Sequence, residues 1–197
     1  ESYEAYGDRY TYPDPYVHSK TKIRIICAIH GEFFQLPLDH RRGHGCADCG
    51  FALGRISGPV YRIMAVLDRL GIAYKNEVTM EGLKYIKSLH LDIDIPGLKG
   101  VIEYDGGQHF KPVARWGGEP ELVQIKLRDK IKDAYLTSRG ISLVRIPVMY
   151  NDALEESTEA AIKLMQAGPV YASYGDYIEH TRSLGVDLSK YTVINLL

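Results

Sequence analysis

The chain has 197 residues, 45% of them hydrophobic and 25% charged, which excludes an intrinsically disordered chain and allows one sizeable core with a small satellite module. Its formal net charge of -1 excludes a uniformly basic DNA-coating protein, so contact with nucleic acid would depend on local patches and bound cations. No apolar run reaches the ~18 residues of a membrane span, and the sequence does not open with the pattern of a secretory signal. We therefore expect a soluble cytoplasmic protein with no membrane partner.

Residues 1–56 contain short strand-like runs and all three cysteines of the chain. An odd number of cysteines in one short segment favours metal ligation over a disulfide framework. Cys27 and His30 form one ligand pair and Cys46 and Cys49 form another, with two residues between the members of each pair. Two such pairs predict a structural Zn²⁺ site with no open position for catalysis, in a segment that is poor in core residues. The alternative is a set of buried free thiols with a surface histidine.

Between the two ligand pairs lies the basic sequence HRRGH, residues 40–44. We interpret His40 and His44 as surface residues rather than zinc ligands. Arg41, Arg42 and His44 are expected to contact DNA phosphates from a loop that the metal holds; a solvated loop is the alternative. The segment as a whole resembles the short zinc modules that lie beside nuclease domains in phage and mobile-element proteins.

Residues 57–167 alternate helical and strand-like patterns, which predicts one compact α/β domain. Ser57 and Pro59 are suited to the start of a helix, and Gly71 is suited to its end. The predicted elements are a helix over 57–70, strands over 72–79, 89–95 and 101–105, a helix over 120–138, a strand over 141–148 and a helix over 153–166. For residues 168–197, a C-terminal tail, the sequence predicts no role.

The most informative segment is LHLDIDIPGLKGVIEYDGGQHF, residues 89–110. A turn at Pro96 to Gly100 would set Asp92 opposite Glu103, and a strand period of two would put Asp94 and Asp105 on the same face. Like charges on one face destabilise a sheet, so this arrangement favours a bound Mg²⁺ or Mn²⁺ that neutralises them. The alternative is an edge hairpin with an acidic, solvated face.

An Asp, about ten residues, an apolar pair and then Glu-x-Asp-Gly-x-x-His resembles the PD-(D/E)XK nuclease superfamily, in the branch of very-short-patch-repair and phage homing endonucleases. The later run LRDKIKDAYLTSRGISLVRIP extends the resemblance to about residues 57–165. It implies a restriction-endonuclease-like mixed sheet flanked by helices, and a Mg²⁺ or Mn²⁺ site formed by Asp92, Glu103 and the Tyr104 carbonyl. It further implies catalytic roles for Asp92, Glu103, Asp105, His109, Asp129 and Lys132.

The sequence departs from the superfamily at two positions. Asp105 stands where the catalytic lysine is usual, which leaves His109, Lys130 and Lys132 as candidates for proton transfer or charge stabilisation. Related proteins also tend to have a Glu at the start of the first helix, where this chain has Pro59 and Val60.

The function expected from these features is Mg²⁺-dependent hydrolysis of phosphodiester bonds in double-stranded DNA, as in phage or mobile-element endonucleases of the homing type. A single domain that cuts both strands would need a second copy, which makes a homodimer an expected assembly. Two alternatives from other classes are a catalytically silent DNA-recognition domain of a larger assembly and a zinc-stabilised protein-interaction module.

Overall fold

The computed structural model describes residues 10–28, 31–41, 45–46 and 57–196. The chain forms two compact units, residues 1–57 and residues 58–197, which are taken separately below. Within the described ranges, no helix combines the length and the hydrophobicity that crossing a bilayer requires.

The N-terminal unit is built on a three-stranded antiparallel sheet in the order β1-β2-β3. Its described elements are β1 (Tyr10–Thr11), β2 (Ile23–Cys27), β3 (Gly31–Gln35) and the short helix α1 (Pro37–Arg41). A small buried cluster holds the unit together; its fully buried members are Tyr10, Ile25, Cys27 and Cys46. Both described cysteines therefore belong to the buried cluster that the described residues of this unit form.

The C-terminal unit contains a six-stranded mixed sheet flanked by four α-helices of the described chain. The elements are α2 (Gly58–Arg69), β4 (Lys75–Lys84), β5 (Ser88–Ile95), β6 (Gly100–Asp105), α3 (Gly118–Ser138), β7 (Ser142–Pro147), α4 (Leu154–Ala167), β8 (Val170–Ser173), α5 (Gly175–Ser183) and β9 (Thr192–Asn195). The strands follow one another in chain order across the sheet: β4, β5 and β6 are antiparallel, and β6 to β9 are parallel. The predicted α/β class is confirmed. The acidic hairpin β5–β6 is interior, so its interpretation as a solvated edge hairpin is wrong.

Strand β4, observed over Lys75–Lys84, differs from the strand predicted over 72–79 at both of its ends. Helix α2 ends at Arg69, and Gly71 adopts a left-handed φ of 66° that terminates it. The Ile72 N–H donates to the Leu67 carbonyl, so residue 72 closes the helix end and does not begin a strand. Strand β4 therefore starts at Lys75, three residues later than predicted.

The segment after residue 167 is part of the sheet. Strands β8 and β9 add two parallel strands beyond β7, and α5 packs against α3. Tyr171, Tyr174 and Tyr177 are all buried and direct hydroxyl groups into the unit. Four-residue strands and tyrosines with polar ends carry little sequence periodicity, which explains why this segment yields no prediction.

Two features of the sheet position the candidate site. The antiparallel ladder between β5 and β6 joins Ile93 to Ile102 and continues toward the turn, but pairs no residues on the other side of Ile93. The parallel ladder between β6 and β7 is complete and sets Glu103 beside Arg145. Because strand side chains alternate between faces, Glu103 and Arg145 lie on the same face, which α3 covers.

Candidate active site

The two carboxylates of Asp92 and Glu103 occupy the gap where β5 and β6 separate. The Asp92 backbone N–H donates to Glu103 Oε1 at 3.0 Å, and the Tyr104 backbone N–H donates to Asp92 Oδ2 at 2.8 Å. Side chains thus replace the backbone bonds that a continuous ladder would make. The register agrees with the sequence-based expectation that Asp92 lies across from Glu103.

Lys132 of α3 reaches the same gap. Its Nζ donates to Glu103 Oε2 at 2.6 Å, and both side chains are largely buried, at 13% and 3% exposed. Burial alone would lower the pKa of Lys132, but the negative charges of Glu103, Asp129 and Asp92 together outweigh burial, so the pKa lies above its ordinary value and the ammonium group stays charged. A lysine from α3 therefore lies beside Glu103, whereas Asp105 is at the position where the superfamily resemblance led us to expect one.

The positive charge around Asp92 is too small to compensate the negative charge of its carboxylate. Burial, together with the negative charge of Glu103, raises the pKa of its carboxyl to about 7, even though Lys132 and the Tyr104 N–H oppose the shift. Its second oxygen, Oδ1, accepts no hydrogen bond from any described residue, and no described side-chain oxygen is buried without a partner. Oδ1 must therefore be open to solvent, with acceptor capacity for a ligand.

His109 lies beside this gap and is held by two buried carboxylates. Its Nδ1 is 2.7 Å from Asp129 Oδ2 and 3.4 Å from Asp105 Oδ1. Burial would lower the pKa of His109, but the bond to Asp129 and the charges of both acids raise it above its ordinary value. Because Nδ1 serves the carboxylates, Nε2 is the nitrogen left to meet a substrate or water.

The three ligand-type atoms of Asp105, His109 and Asp129 lie within 4.8 Å of one another, a separation that a metal ion would allow. Their hydrogen bonds argue for a different use. Arg145 Nη1 donates to both oxygens of Asp105, and the Tyr174 hydroxyl also donates to one of them. Asp105 is 0% exposed. Both of its oxygens accept hydrogen bonds within the fold, so the expected role as a ligand or base in contact with substrate does not suit it.

The buried cation at the centre of these acids is Arg145, which sequence reasoning missed. Its guanidinium also donates to Asp133 Oδ1, and Nη2 lies 3.6 Å from Asp129 Oδ1. Asp133 in turn accepts hydrogen bonds from the hydroxyls of Tyr171 and Ser173. A signal was present, since an arginine inside the apolar run ISLVRIPV must find acidic partners when it is buried.

Other predicted residues lie elsewhere. Asp94 pairs with Lys75 in the β4–β5 register and does not join the site, so the four carboxylates of the hairpin do not form one cluster. Lys130 lies 3.1 Å from Asp176 on α5 and makes no contact with Glu103. Only Lys132 among the candidate lysines reaches the carboxylates.

The structure describes two of the four predicted zinc ligands in the N-terminal unit. Cys27 and Cys46 are buried in one cluster and form no disulfide, whereas His30 and Cys49 lie outside the described residues. His40 is buried and not at the surface as expected: its ring nitrogens lie 3.0 Å from Gln35 Oε1 and 2.9 Å from the Tyr12 hydroxyl.

Most of the basic loop, residues 40–44, lies outside the described residues. Helix α1 ends at Arg41, whose side chain is not described, and Arg42 and His44 lie outside the described residues.

Two clefts meet at His109. The larger has a volume of about 780 Å³ and runs between the end of the β4–β5 hairpin and the first half of α3, with Asp129 and Lys132 in its lining. The smaller, about 330 Å³, is lined by Phe110, Lys126 and residues of α5. His109 is the residue common to both linings, so a long ligand that crosses this surface would pass over its ring.

Comparison with known proteins yields one partial match. A family model described as "Protein of unknown function (DUF723)" matches residues 2–50, the segment that holds both predicted zinc-ligand pairs. No curated protein and no solved structure matches the chain.

The raised pKa of Asp92 predicts a specific dependence of stability on pH. Because the folded-state pKa exceeds the ordinary 3.8, the unfolded state releases this proton first, and Asp92 destabilises the fold increasingly as pH rises from about 4 to about 7. In metal-free buffer, Asp92→Asn should therefore raise the free energy of unfolding by up to about 4 kcal/mol at pH 8, and by little at pH 4. Urea unfolding at both pH values measures this, with exposed Asp152→Asn as the control. An equal gain at both pH values would contradict the assignment.

Proposed function

We propose that the C-terminal unit is a Mg²⁺-dependent endonuclease that hydrolyses phosphodiester bonds in DNA. The observation that carries this proposal is the grouping of Asp92, Glu103 and Lys132, two carboxylates from adjacent strands and one ammonium group from a helix, at the point where the strands separate. Two acids and a lysine at such a place are the functional set that the resemblance to the PD-(D/E)XK superfamily implies. The mixed sheet, with three antiparallel strands before α3 and a parallel strand after it, supports a restriction-endonuclease-like fold.

The donor set fits a hard divalent cation. Asp92 Oδ1 is open, Glu103 is adjacent, and the high pKa of Asp92 indicates negative charge that the protein leaves uncompensated. Asp92, Glu103 and the Tyr104 carbonyl would hold Mg²⁺ or Mn²⁺, which prefer oxygen ligands. When bound, the ion supplies stabilisation of the negative charge that develops on the phosphate.

The side chains around the gap have distinct tasks. Lys132 holds Glu103 in place and adds positive charge where the phosphate oxygens become more negative. Asp129 holds His109 so that Nε2 can accept a proton from the attacking water. Arg145 and Tyr174 hold Asp105, and through it the position of His109, without contact with the substrate.

The substrate we infer is double-stranded DNA, in keeping with the phage and mobile-element branch that the hairpin resembles. Cutting both strands with one site per chain would require a second copy, so we propose a homodimer as the cleaving assembly.

Glu103→Gln should abolish Mg²⁺-dependent cleavage. The amide keeps the shape and an acceptor for the Asp92 N–H but removes the charge that a cation needs, so plasmid cleavage should fall at least about a hundredfold. Asp94→Asn, an acid of the same hairpin outside the site, is the matched control and should cut at the rate of the parent. Full activity of Glu103→Gln, with circular dichroism showing both variants folded, would refute the site.

Lys132 should be the lysine that the reaction needs. Lys132→Met keeps the apolar stem and removes the charge, so we expect cleavage to fall at least about tenfold, while Lys130→Met, two residues away on α3, keeps most of its activity. Because Lys132→Met leaves Glu103 buried without its cation, Lys132→Arg is included as a second variant, and urea unfolding establishes that both are folded. A larger loss in Lys130→Met than in either Lys132 variant would exclude Lys132.

A catalytically silent DNA-recognition domain is the second candidate. The ion pair between Lys132 and Glu103 favours it, because both Glu103 oxygens already accept hydrogen bonds without a metal. The two functions separate on one measurement: a silent domain binds DNA equally with Mg²⁺, Mn²⁺ or chelator and never cuts it, whereas the nuclease cuts only with the metal ions.

We further propose that the N-terminal unit binds one structural Zn²⁺ through Cys27, His30, Cys46 and Cys49, and that Arg41, Arg42 and His44 contact DNA phosphates. Two buried thiols in one small core support the proposal.

Cys46→Ser should lower bound zinc, measured by elemental analysis, from about one ion per chain to nearly none, and should unfold the unit. Exposed Ser19→Ala is the control. Undiminished zinc in Cys46→Ser would contradict this ligand set.

A further inference from the structure

The end of the β4–β5 hairpin exposes an unusual apolar side chain. Lys84 pairs with Ser88, and the three residues between them form a tight turn in which the Tyr85 N–H donates to the Lys87 carbonyl. Ile86 at its centre is 83% exposed, the highest value among the large hydrophobic residues that the structure describes. Ile86 therefore contributes little to the core, and its side chain is available for contact with a partner outside the fold.

This hairpin end is held firmly. Leu83 and Leu89, just below the turn, are 1% and 8% exposed and belong to the main core. The Tyr135 hydroxyl of α3 donates to the Glu81 carbonyl at 2.6 Å, within a stretch of β4 where the register with β5 shifts. The exposed turn is thus a rigid projection on an anchored strand pair.

The turn lies beside the candidate active site. Tyr85, Ile86 and Lys87 line the cleft of about 780 Å³ that His109 and Lys132 also line. A ligand that fills this cleft would contact the hairpin turn as well as the side chains of His109 and Lys132.

The charges on the turn indicate the class of ligand. Lys84 and Lys87 flank the apolar pair Tyr85 and Ile86, and neither lysine forms an ion pair with a described residue. Apolar side chains between two cations match a polymer whose phosphates surround stacked, apolar bases. An acidic phosphate backbone with an apolar interior describes duplex DNA better than a second copy of this chain, whose net charge is near zero.

We infer that Ile86 is a wedge that enters between base pairs of duplex DNA while Lys84 and Lys87 contact the adjacent phosphates. The inference rests on the proposed function for its substrate class and goes beyond it, because it makes the substrate a locally unstacked and kinked duplex. Apolar wedges of this kind unstack a base step and allow the DNA to follow more of the protein surface. The phosphate next to the unstacked step would then lie at His109 and Lys132.

The experiment measures unwinding of closed-circular plasmid, which requires no knowledge of a target sequence. The full-length Glu103→Gln protein, which should bind without cutting, is mixed with plasmid and a metal-independent topoisomerase, and the topoisomers are resolved after the protein is removed. We expect bound protein to shift the plasmid to lower linking number. Adding Ile86→Ser should reduce the shift at equal bound protein at least fourfold, while affinity falls less than about tenfold. Leu184→Ser replaces another exposed side chain (59%) away from the cleft, and it should change the linking number of the plasmid as much as the parent does.

Three results would overturn the wedge. They are an unchanged shift in Ile86→Ser, binding by the parent without any shift, and no binding to plasmid. A parent that sediments as a dimer and becomes monomeric with Ile86→Ser would instead assign the turn to a contact between copies. The test of the wedge is separate from the test of the nuclease. A protein that unwinds DNA through Ile86 but never cuts it with Mg²⁺ would refute the proposed function and support the wedge.

Discussion

The buried guanidinium of Arg145 is the constraint on which the rest of the C-terminal unit depends. It is 1% exposed and contacts Asp105 of β6 and both Asp129 and Asp133 of α3. A charge so far from water is tolerated only when its partners are charged and well oriented. Arg145 therefore fixes the distance between the sheet and α3, and with it the positions of His109 and Lys132.

The acids around the candidate site fall into two groups according to the cations that pair with them. Asp105, Asp129 and Asp133 are neutralised from within the fold; Arg145 and the hydrogen bond from His109 lower the pKa of Asp129 to about 2 despite burial. Among the described cations, only Lys132 pairs with Asp92 and Glu103, and Asp92 Oδ1 accepts no hydrogen bond from a described residue. This unequal distribution of charge separates the acids that build the structure from the pair that we propose to hold a cation.

The hairpin, its register and the helix that carries Asp129 and Lys132 could be predicted from the sequence, because strand alternation and a Pro-Gly turn are local signals. Helix spacing also brought Asp129 and Lys132 to one side of α3. Long-range charge pairing could not be predicted. The sequence favours a metal ion, or else solvent, as the partner of four hairpin acids. In the structure, one of them, Asp105, is instead bound by Arg145 and Tyr174, which lie 40 and 69 residues away in the chain. Pairings over such separations leave no periodic trace in the chain.

The contacts made by β8 and α5 impose an order on the folding of the chain during its synthesis. Asp133, Asp105 and Asp129 accept hydrogen bonds from Ser173, Tyr174 and Tyr177, respectively. These acids therefore lack part of their hydrogen bonding until the ribosome has made residue 177 and the exit tunnel has released it. A nascent chain that already carries Asp92, Glu103 and Lys132 is still without the scaffold that aligns them.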